Sequence, residues 1–259
     1  MSQRLLINTE QVDVVRNASL FSDLSKNEQD DFIKGGGVFS YLRKSCLFNI
    51  GDTINSIYIL CSGIVQELRQ THDGHEITTN IYKAGDVFCT TELFLKDSVH
   101  LTSAKAIDNV YVMELPIERF KENLQKYEAV RNRLTSALAQ FAVMKQLEVE
   151  RQITMSSLQL LASFLREMCD SHGFNPRGFT LPYQKSLIAS RIGMEIETLS
   201  RALPRLKEHG IHVKGSYVSF TDLQNPAQNV IKLFQTPISL RRRENGRKPC
   251  NLSQSVAAC

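Results

Sequence analysis

The sequence predicts an α+β fold in three consecutive parts: an N-terminal β-roll of jelly-roll type, a long helix, and a C-terminal winged helix-turn-helix. Three observations predict it. Short β-prone runs broken by glycine turns fill the chain from about Leu20 to Leu115. No glycine or proline occurs from Ile117 to Cys169, and a helix, turn, helix, hairpin pattern follows Leu181. The expected boundaries are 18–116 for the β-roll, 117–152 for the long helix, 153–225 for the winged unit and 226–259 for an extension. At 259 residues, with 42% hydrophobic and 22% charged residues, the chain has the length and composition of a soluble globular protein of one or two domains.

Each element has its own signal. SIYILCSG, IVQELRQ, EITTNIY and VYVMELP carry strand-like runs, and Gly51-Asp52, Gly63, Asp73-Gly74 and Gly85-Asp86 supply the turns between them. Asp73-Gly74 reads as a hairpin turn because both residues tolerate positive φ. In the helix-forming stretch, Val130, Leu134, Ala137, Phe141 and Met144 recur at steps of three and four, with Leu138 and Leu147 beside them. Such a stripe packs on the chain's own core or on a second copy of itself. A helix leaving a β domain has few intrachain surfaces for both faces, so the expectation is a homodimer seam. After a break near Ile153–Ser156, Leu158, Leu161, Phe164 and Leu165 begin a second helical unit, and His172 to Gly178 reads as a loop. LPYQKSLIASRIG is helix-like, with Pro182 suited to a first turn and Gly193 to a stop. GMEIETLSRALPRLKEHG is the next helix, and IHVKGSYVSF alternates around Lys214-Gly215 as a two-stranded wing.

The helix at 193–210 carries the most informative surface. Ile196, Leu199, Leu203 and Leu206 gather on one side, and Glu197, Ser200 and Arg201 on the other. Taken alone, that polar patch could be a solvated face with one Glu–Arg pair worth a few tenths of a kcal/mol. As the second helix of a helix-turn-helix it presents the patch where such motifs touch bases. Arg201 can donate two parallel bonds to guanine O6 and N7, Glu197 can accept from cytosine N4, and Ser200 can contact a thymine.

Charge placement agrees with an interface to double-stranded DNA. The net charge is +4, and the segment 239–259 alone holds Arg241, Arg242, Arg243, Arg247 and Lys248 against Glu244. The C-terminal third is therefore basic and the remainder slightly acidic. A flexible basic tail that adds nonspecific phosphate affinity is the expectation for those last residues. The six cysteines show no CxxC pair and no zinc-finger spacing, so thiols are expected rather than disulfides. No apolar run is long enough to span a bilayer, and the first residues lack the apolar core of a signal peptide, which implies no membrane partner and a cytoplasmic location. No Ser-His-Asp order, paired catalytic acids, Walker loop or HExxH appears, so an enzyme is not expected.

These residues carry a resemblance. LF-x-x-L at Leu20–Leu24, Gly51-Asp52, IYILCSG at Ile57–Gly63, Gly74 and Gly85-Asp86 resemble the glycine skeleton of the cyclic-AMP receptor protein and fumarate–nitrate reduction regulator superfamily of bacterial transcription factors. Glu197-x-x-Ser200-Arg201 resembles the E-x-x-S-R triplet of the fumarate–nitrate branch. The resemblance covers roughly residues 20–222. It implies a cyclic-nucleotide-binding-like β-roll, a dimerisation helix and an inverted repeat of TTGAT-like half-sites. It also implies contact with RNA polymerase, activation being the commoner outcome in the family. Lys185, Ser186 and Thr198 would be backbone anchors. Pro204 departs from an ideal recognition helix and is expected to kink or shorten it beyond the base-reading turn.

For the input, the resemblance excludes more than it assigns. Where nucleotide-binding relatives place a Glu and an Arg-Ser pair, this chain has Thr90, His100 and Leu101 by register; Glu92 could take the ribose contact only if that register slips by two. A buried phosphate would then lack its guanidinium, so a cyclic nucleotide is not expected. No cysteine precedes Cys46, so an iron–sulfur cluster is not expected either. GDVFC at 85–89 is similar to a stretch of a carbon-monoxide-sensing haem relative, with Cys89 at the ligand's place and Thr91 where that relative has a histidine. Cys89 thus reads either as a small buried residue or as a haem ligand, with His72, His75 or His100 as a second ligand. The effector pocket is expected around Cys89, Thr90, Thr91 and His100. Nitric-oxide-responsive regulators lack both the cluster motif and the nucleotide pocket, which suggests a nitrosative or redox input. A regulatory module whose helical end binds another protein is the alternative.

Overall fold

The structure, a computed structural model, describes residues 3–5, 8–22, 24–96, 99–171 and 178–221. The greater part of the loop expected from His172 and the basic extension, with Cys250 and Cys259, lie outside the described residues. Strand β1 (Gln3–Leu5), helices α1 (Thr9–Arg16) and α2 (Lys26–Ile33), and strands β2 (Gly37–Tyr41), β3 (Cys46–Phe48), β4 (Ser56–Ser62), β5 (Val65–Gln70), β6 (Glu76–Tyr82), β7 (Val87–Phe88), β8 (Ser103–Ala106) and β9 (Val110–Pro116) form the N-terminal part. Helices α3 (Ile117–Lys126), α4 (Glu128–Thr154) and α5 (Ser157–Ser171) follow. The C-terminal unit adds β10 (Phe179–Thr180), α6 (Lys185–Arg191), α7 (Ile196–Arg205), β11 (Ile211–Lys214) and β12 (Tyr217–Phe220).

The β-strands make two antiparallel sheets, ordered β1-β2-β9-β4-β7 and β3-β8-β5-β6. One core lies between them. Tyr41, Tyr58, Leu60, Val110 and Val112 from the first sheet meet Phe48, Val65, Ala104 and Ala106 from the second. The alternate residues of the first sheet, Val38, Ile57, Ile59, Met113 and Leu115, turn outward onto Phe21, Phe32, Phe120 and Leu124 of the helical layer. A strand buried on both faces needs apolar residues at successive positions, which is why β4 reads IYILC without alternation. Gly63 closes the β4–β5 turn with φ +87°, and a Cβ there would meet the Asp108 carboxylate at 2.7 Å and Val110 at 2.8 Å. Asp73-Gly74 makes the β5–β6 hairpin, with Gly74 at φ +81°.

Three expectations are corrected. The β-roll does not begin at residue 18, because β1 pairs with β2 through Gln3↔Ser40 and covers what would be an open edge. The stretch 117–152 is two helices rather than one. The chain turns extended at Tyr127, whose hydroxyl donates to Asp31 of α2 and whose ring packs on Phe32. The apolar stripe is also divided in use. Val130 and Leu134 are 1% and 3% exposed and belong to the roll's own helical core. They cannot form a seam with a second copy. From Ala137 onward the face is open, with Phe141 and Leu147 exposed and Met144 at 68%.

Candidate nucleic-acid interface and effector cavity

In the C-terminal unit, Leu158, Leu161, Ala162 and Leu165 of α5 pack on Ile188 and Ala189 of α6 and on Leu199, Ala202 and Leu206 at and just beyond α7. Ile211, Val218 and Phe220 of the wing close this core, and β10 adds a third strand in the order β10-β12-β11. Gly210 and Gly215, at φ +76° and +65°, make the turns into and within the wing. With Leu199, Ala202 and Leu206 inward, α7 has no freedom about its axis. Glu197, Ser200 and Arg201 are all exposed on its outer side. Arg201 touches only the Thr198 hydroxyl, at 3.5 Å, and neither it nor Glu197 enters an ion pair among the described residues. The guanidinium and the carboxylate are thus both open to a partner. Lys185 and Ser186 are exposed at the start of α6, and Thr198 is half-buried. Ile196 departs from expectation: it is 43% exposed rather than part of the inward face, because α7 begins there, before the helix meets α5. Pro204 lies in the last turn of α7, which ends at Arg205 and continues as a 3-10 turn over Leu206–His209. The missing N–H falls a full turn beyond Ser200, so the first turn is unaffected.

The unit is docked on the β-roll. The Ser190 hydroxyl donates to the Glu76 carbonyl at 2.9 Å and accepts from the Thr78 N–H at 2.9 Å and the Thr78 hydroxyl at 2.7 Å. Lys145 of α4 donates to the Thr79 carbonyl at 2.8 Å and to Glu148, which also receives Arg191 of α6. Burial by itself would raise the Glu148 carboxyl; Lys145 and Arg191 outweigh it and hold the group below its ordinary range. Strand β6 is the edge of its sheet, so α6 and α4 cap an edge that would otherwise stay open.

Between the β-roll and α4 lies a cavity of ≈ 590 Å³, walled by residues 86–91, β6 and the face of α4 from Arg133 to Phe141. Cys89, Thr90 and Thr91 line it, and His100 does not. His100 is buried behind the wall, stacked on Phe48 with ring centroids 3.7 Å apart, its Nδ1 3.7 Å from Cys89 Sγ. Glu92, which sequence reasoning considered only as a ribose ligand, also turns away from the cavity and accepts from the Leu101 N–H at 2.9 Å. The charged groups on the cavity are Glu67, Asp86 and Arg133. Arg133 is engaged by the Ser19 carbonyl and the Ser22 hydroxyl. Glu67 is engaged by Tyr82 and Thr102, and a phosphate would meet two acids without a guanidinium from residues 85–106.

Cys89 is conformationally special. Its φ is +64°, a region that costs a residue bearing a Cβ about 1–2 kcal/mol. Burial first, then the neighbouring Glu92 and Glu67 charges, pushes its thiol well above the ordinary range. Burial likewise lowers the His100 imidazole and raises the Glu92 carboxyl. A protonated, enclosed thiol is not the electropositive, accessible kind that reacts readily with oxidants. Nor do Cys89 and His100 fit the two faces of one haem. Both donors face each other inside the core, and the open volume reaches only Cys89. His72 and His75 are exposed at the β5–β6 turn and do not line the cavity.

Comparison with known proteins agrees with this architecture. The cyclic nucleotide-binding domain family matches residues 38–127, and the Crp-like helix-turn-helix domain family matches residues 159–225. The chain belongs to the superfamily of the cyclic-AMP receptor protein and the fumarate–nitrate reduction regulator, a family of DNA-binding transcription regulators. It is 26% identical over 186 residues to the fumarate and nitrate reduction regulatory protein of Escherichia coli K12, covering 70% of this chain and 74% of that one. The structure of a regulatory protein from Silicibacter pomeroyi DSS-3 is 27% identical with a TM-score of 0.55, over 86% of this chain and 99% of that one. FixK2 from Bradyrhizobium japonicum, 20% identical with a TM-score of 0.64 over 74% of this chain and 96% of that one, shares the fold. No described helix is long and apolar enough to cross a membrane.

Proposed function

We propose that this chain is a homodimeric, cytoplasmic regulator that reads an inverted repeat of TTGAT-like half-sites and is controlled by a signal received in the β-roll. The observation that carries the reading is the outward trio on α7, with Glu197, Ser200 and Arg201 exposed beside one another while Leu199, Ala202 and Leu206 are buried behind them. Lys185, Ser186 and Thr198 supply phosphate contacts that fix the register. The open half of α4, from Ala137 through Phe141 and Met144 to Leu147, is the seam that brings two recognition helices to successive major grooves. Contact with RNA polymerase follows the family pattern. The ≈ 590 Å³ cavity is the place for the effector, and its position against α4 lets occupancy bias the seam. Its acids argue against a cyclic nucleotide, and no step is assigned to haem because the Cys89–His100 pair does not accommodate one. A nitrosative or redox signal remains the assigned input, on the family resemblance and on the lack of closely spaced cysteines before the roll.

Gel shift on a TTGAT–ATCAA palindrome across a salt series tests the function. The expected result is tight binding to the palindrome, weaker binding to scrambled DNA, and a steep loss of affinity with salt. Equal affinity for scrambled DNA would overturn base reading, and no DNA binding would favour a module that works through protein contacts.

A further inference from the structure

Behind the cavity wall, three metal-ligating side chains from separate turns converge. Cys89 Sγ is 3.7 Å from His100 Nδ1, and His100 Nδ1 is 3.9 Å from Glu92 Oε2. The three donor atoms all lie within 4.8 Å of one another, and all three residues are buried. We propose that Cys89, Glu92 and His100 form a binding site for a divalent cation of the zinc class, completed by a fourth ligand from the adjoining cavity. This inference concerns the DNA-free protein and does not depend on the DNA-binding reading.

The chemistry selects that class of ion. One thiolate, one imidazole and one carboxylate are the mixed S, N, O donors that zinc accepts, whereas magnesium and calcium take oxygen alone. The spacing is close to what such an ion needs. Bonds of about 2.0–2.3 Å at tetrahedral angles separate donors by about 3.3–3.6 Å. The two edges through His100, 3.7 and 3.9 Å, come within a few tenths of an ångström of that, and the Cys89–Glu92 edge, at most 4.8 Å, closes by a larger movement of the two side chains. The ligands are also held in place. Glu92 Oε1 is fixed by the Leu101 N–H, which leaves Oε2 turned toward the ring. The His100 ring is pinned by its stack on Phe48, and its backbone N–H and carbonyl are tied to Asp52 and Gly51. Such support around ligands is what orients them in metal sites. His100 Nδ1 lies within hydrogen-bonding distance of the Cys89 sulfur, so loss of the thiol proton on binding turns both the sulfur and the Nδ1 lone pair to the ion. Three protein ligands leave the fourth position of a tetrahedral ion to water or a bound molecule, and the cavity reaches this cluster at Cys89. Binding replaces the Cys89 S–H bond with an S–metal bond and releases that proton to solvent, with no electron transferred.

Cobalt(II) titration of the metal-free full chain, with Cys46, Cys250 and Cys259 replaced by serine, provides the test. One equivalent should give tetrahedral visible bands and a thiolate charge-transfer band in the near ultraviolet, both lost on adding one equivalent of zinc. In the same background, Cys89→Ser should abolish the charge-transfer band, and Glu92→Gln and His100→Gln should each weaken cobalt binding at least tenfold. Thermal melts of the metal-free variants identify those that keep the fold. If Cys89→Ser does not fold, Glu92→Gln carries the decision: weakened binding with an unchanged metal-free melt supports the site, and unchanged binding overturns it. Absence of a thiolate band on the folded chain, or a band that survives in folded Cys89→Ser, also overturns it.

Discussion

At the scale of single residues, Arg201 and Pro204 bracket the proposed reading surface. Arg201 is exposed and lightly held, so its removal costs the fold little and should cost binding about 1–3 kcal/mol, with relaxed preference at the guanine position. Competition gel shifts with each base substituted in the half-site check this. A uniform loss on every sequence would mean a phosphate contact instead. Pro204 is placed to change nothing that is read, because its missing hydrogen bond lies downstream of Ser200. Pro204→Ala should therefore leave half-site preference unchanged in the same assay. The trio was legible in the sequence because its spacing and its apolar counterface lie within one helix. His100 was not: its register placed it in the effector pocket, but stacking on Phe48, a residue 52 positions earlier, draws it behind the wall.

Elements show how one sequence pattern can serve two purposes. The stripe on α4 runs evenly from Val130 to Met144, but the β-roll is long enough to cover only its first two turns. The two halves should respond differently to mutation. Leu134→Ala leaves a hole in the chain's own core and should destabilise it by about 2–5 kcal/mol, as a melting midpoint lowered at every protein concentration. Met144→Glu should barely change the fold and should raise the dimer dissociation constant, read by analytical ultracentrifugation. Equal stability loss from both would mean that α4 is packed within one chain along its whole length. The break at Tyr127 shows the same limit on local reading. Residues 117–152 contain only helix-compatible residues, and what interrupts them is Asp31, drawn against Tyr127 and Lys126 by the packing of α2.

For the whole molecule, the decisive feature is the docking of the winged unit on the edge of β6. Ser190→Ala removes the hydroxyl that serves Thr78 and Glu76, and hydrogen exchange at the Thr78 amide should become markedly faster. Unchanged protection would show that docking rests on the contacts of α6 with α4, the Lys145–Glu148–Arg191 bridge and the Gln152 bond to the Ile192 carbonyl. That bridge makes docking sensitive to acid. Glu148 is held below its ordinary range in the folded state, so its contribution is fully present above the unfolded value of 4.5 and is lost as pH falls through the lower folded value. Proteolysis between the two units should accelerate below about pH 4.5 in wild type, and less so in Glu148→Gln. Because the same bridge involves α4, which also walls the cavity, that cavity, the proposed seam and the winged unit meet on one helix.

The sequence by itself determined what depends on neighbours in the chain. The alternating and continuous strand runs, the glycine turns, the helix-turn-helix and the polar trio on α7 are properties of residues within a few positions of one another. Only the tertiary structure decided which half of the α4 stripe is covered, that β1 is added to the sheet beside β2, and that Cys89, Glu92 and His100 meet. Those outcomes depend on which surfaces distant segments bring together when the sheets stack, and the spacing of residues within one segment carries no record of them.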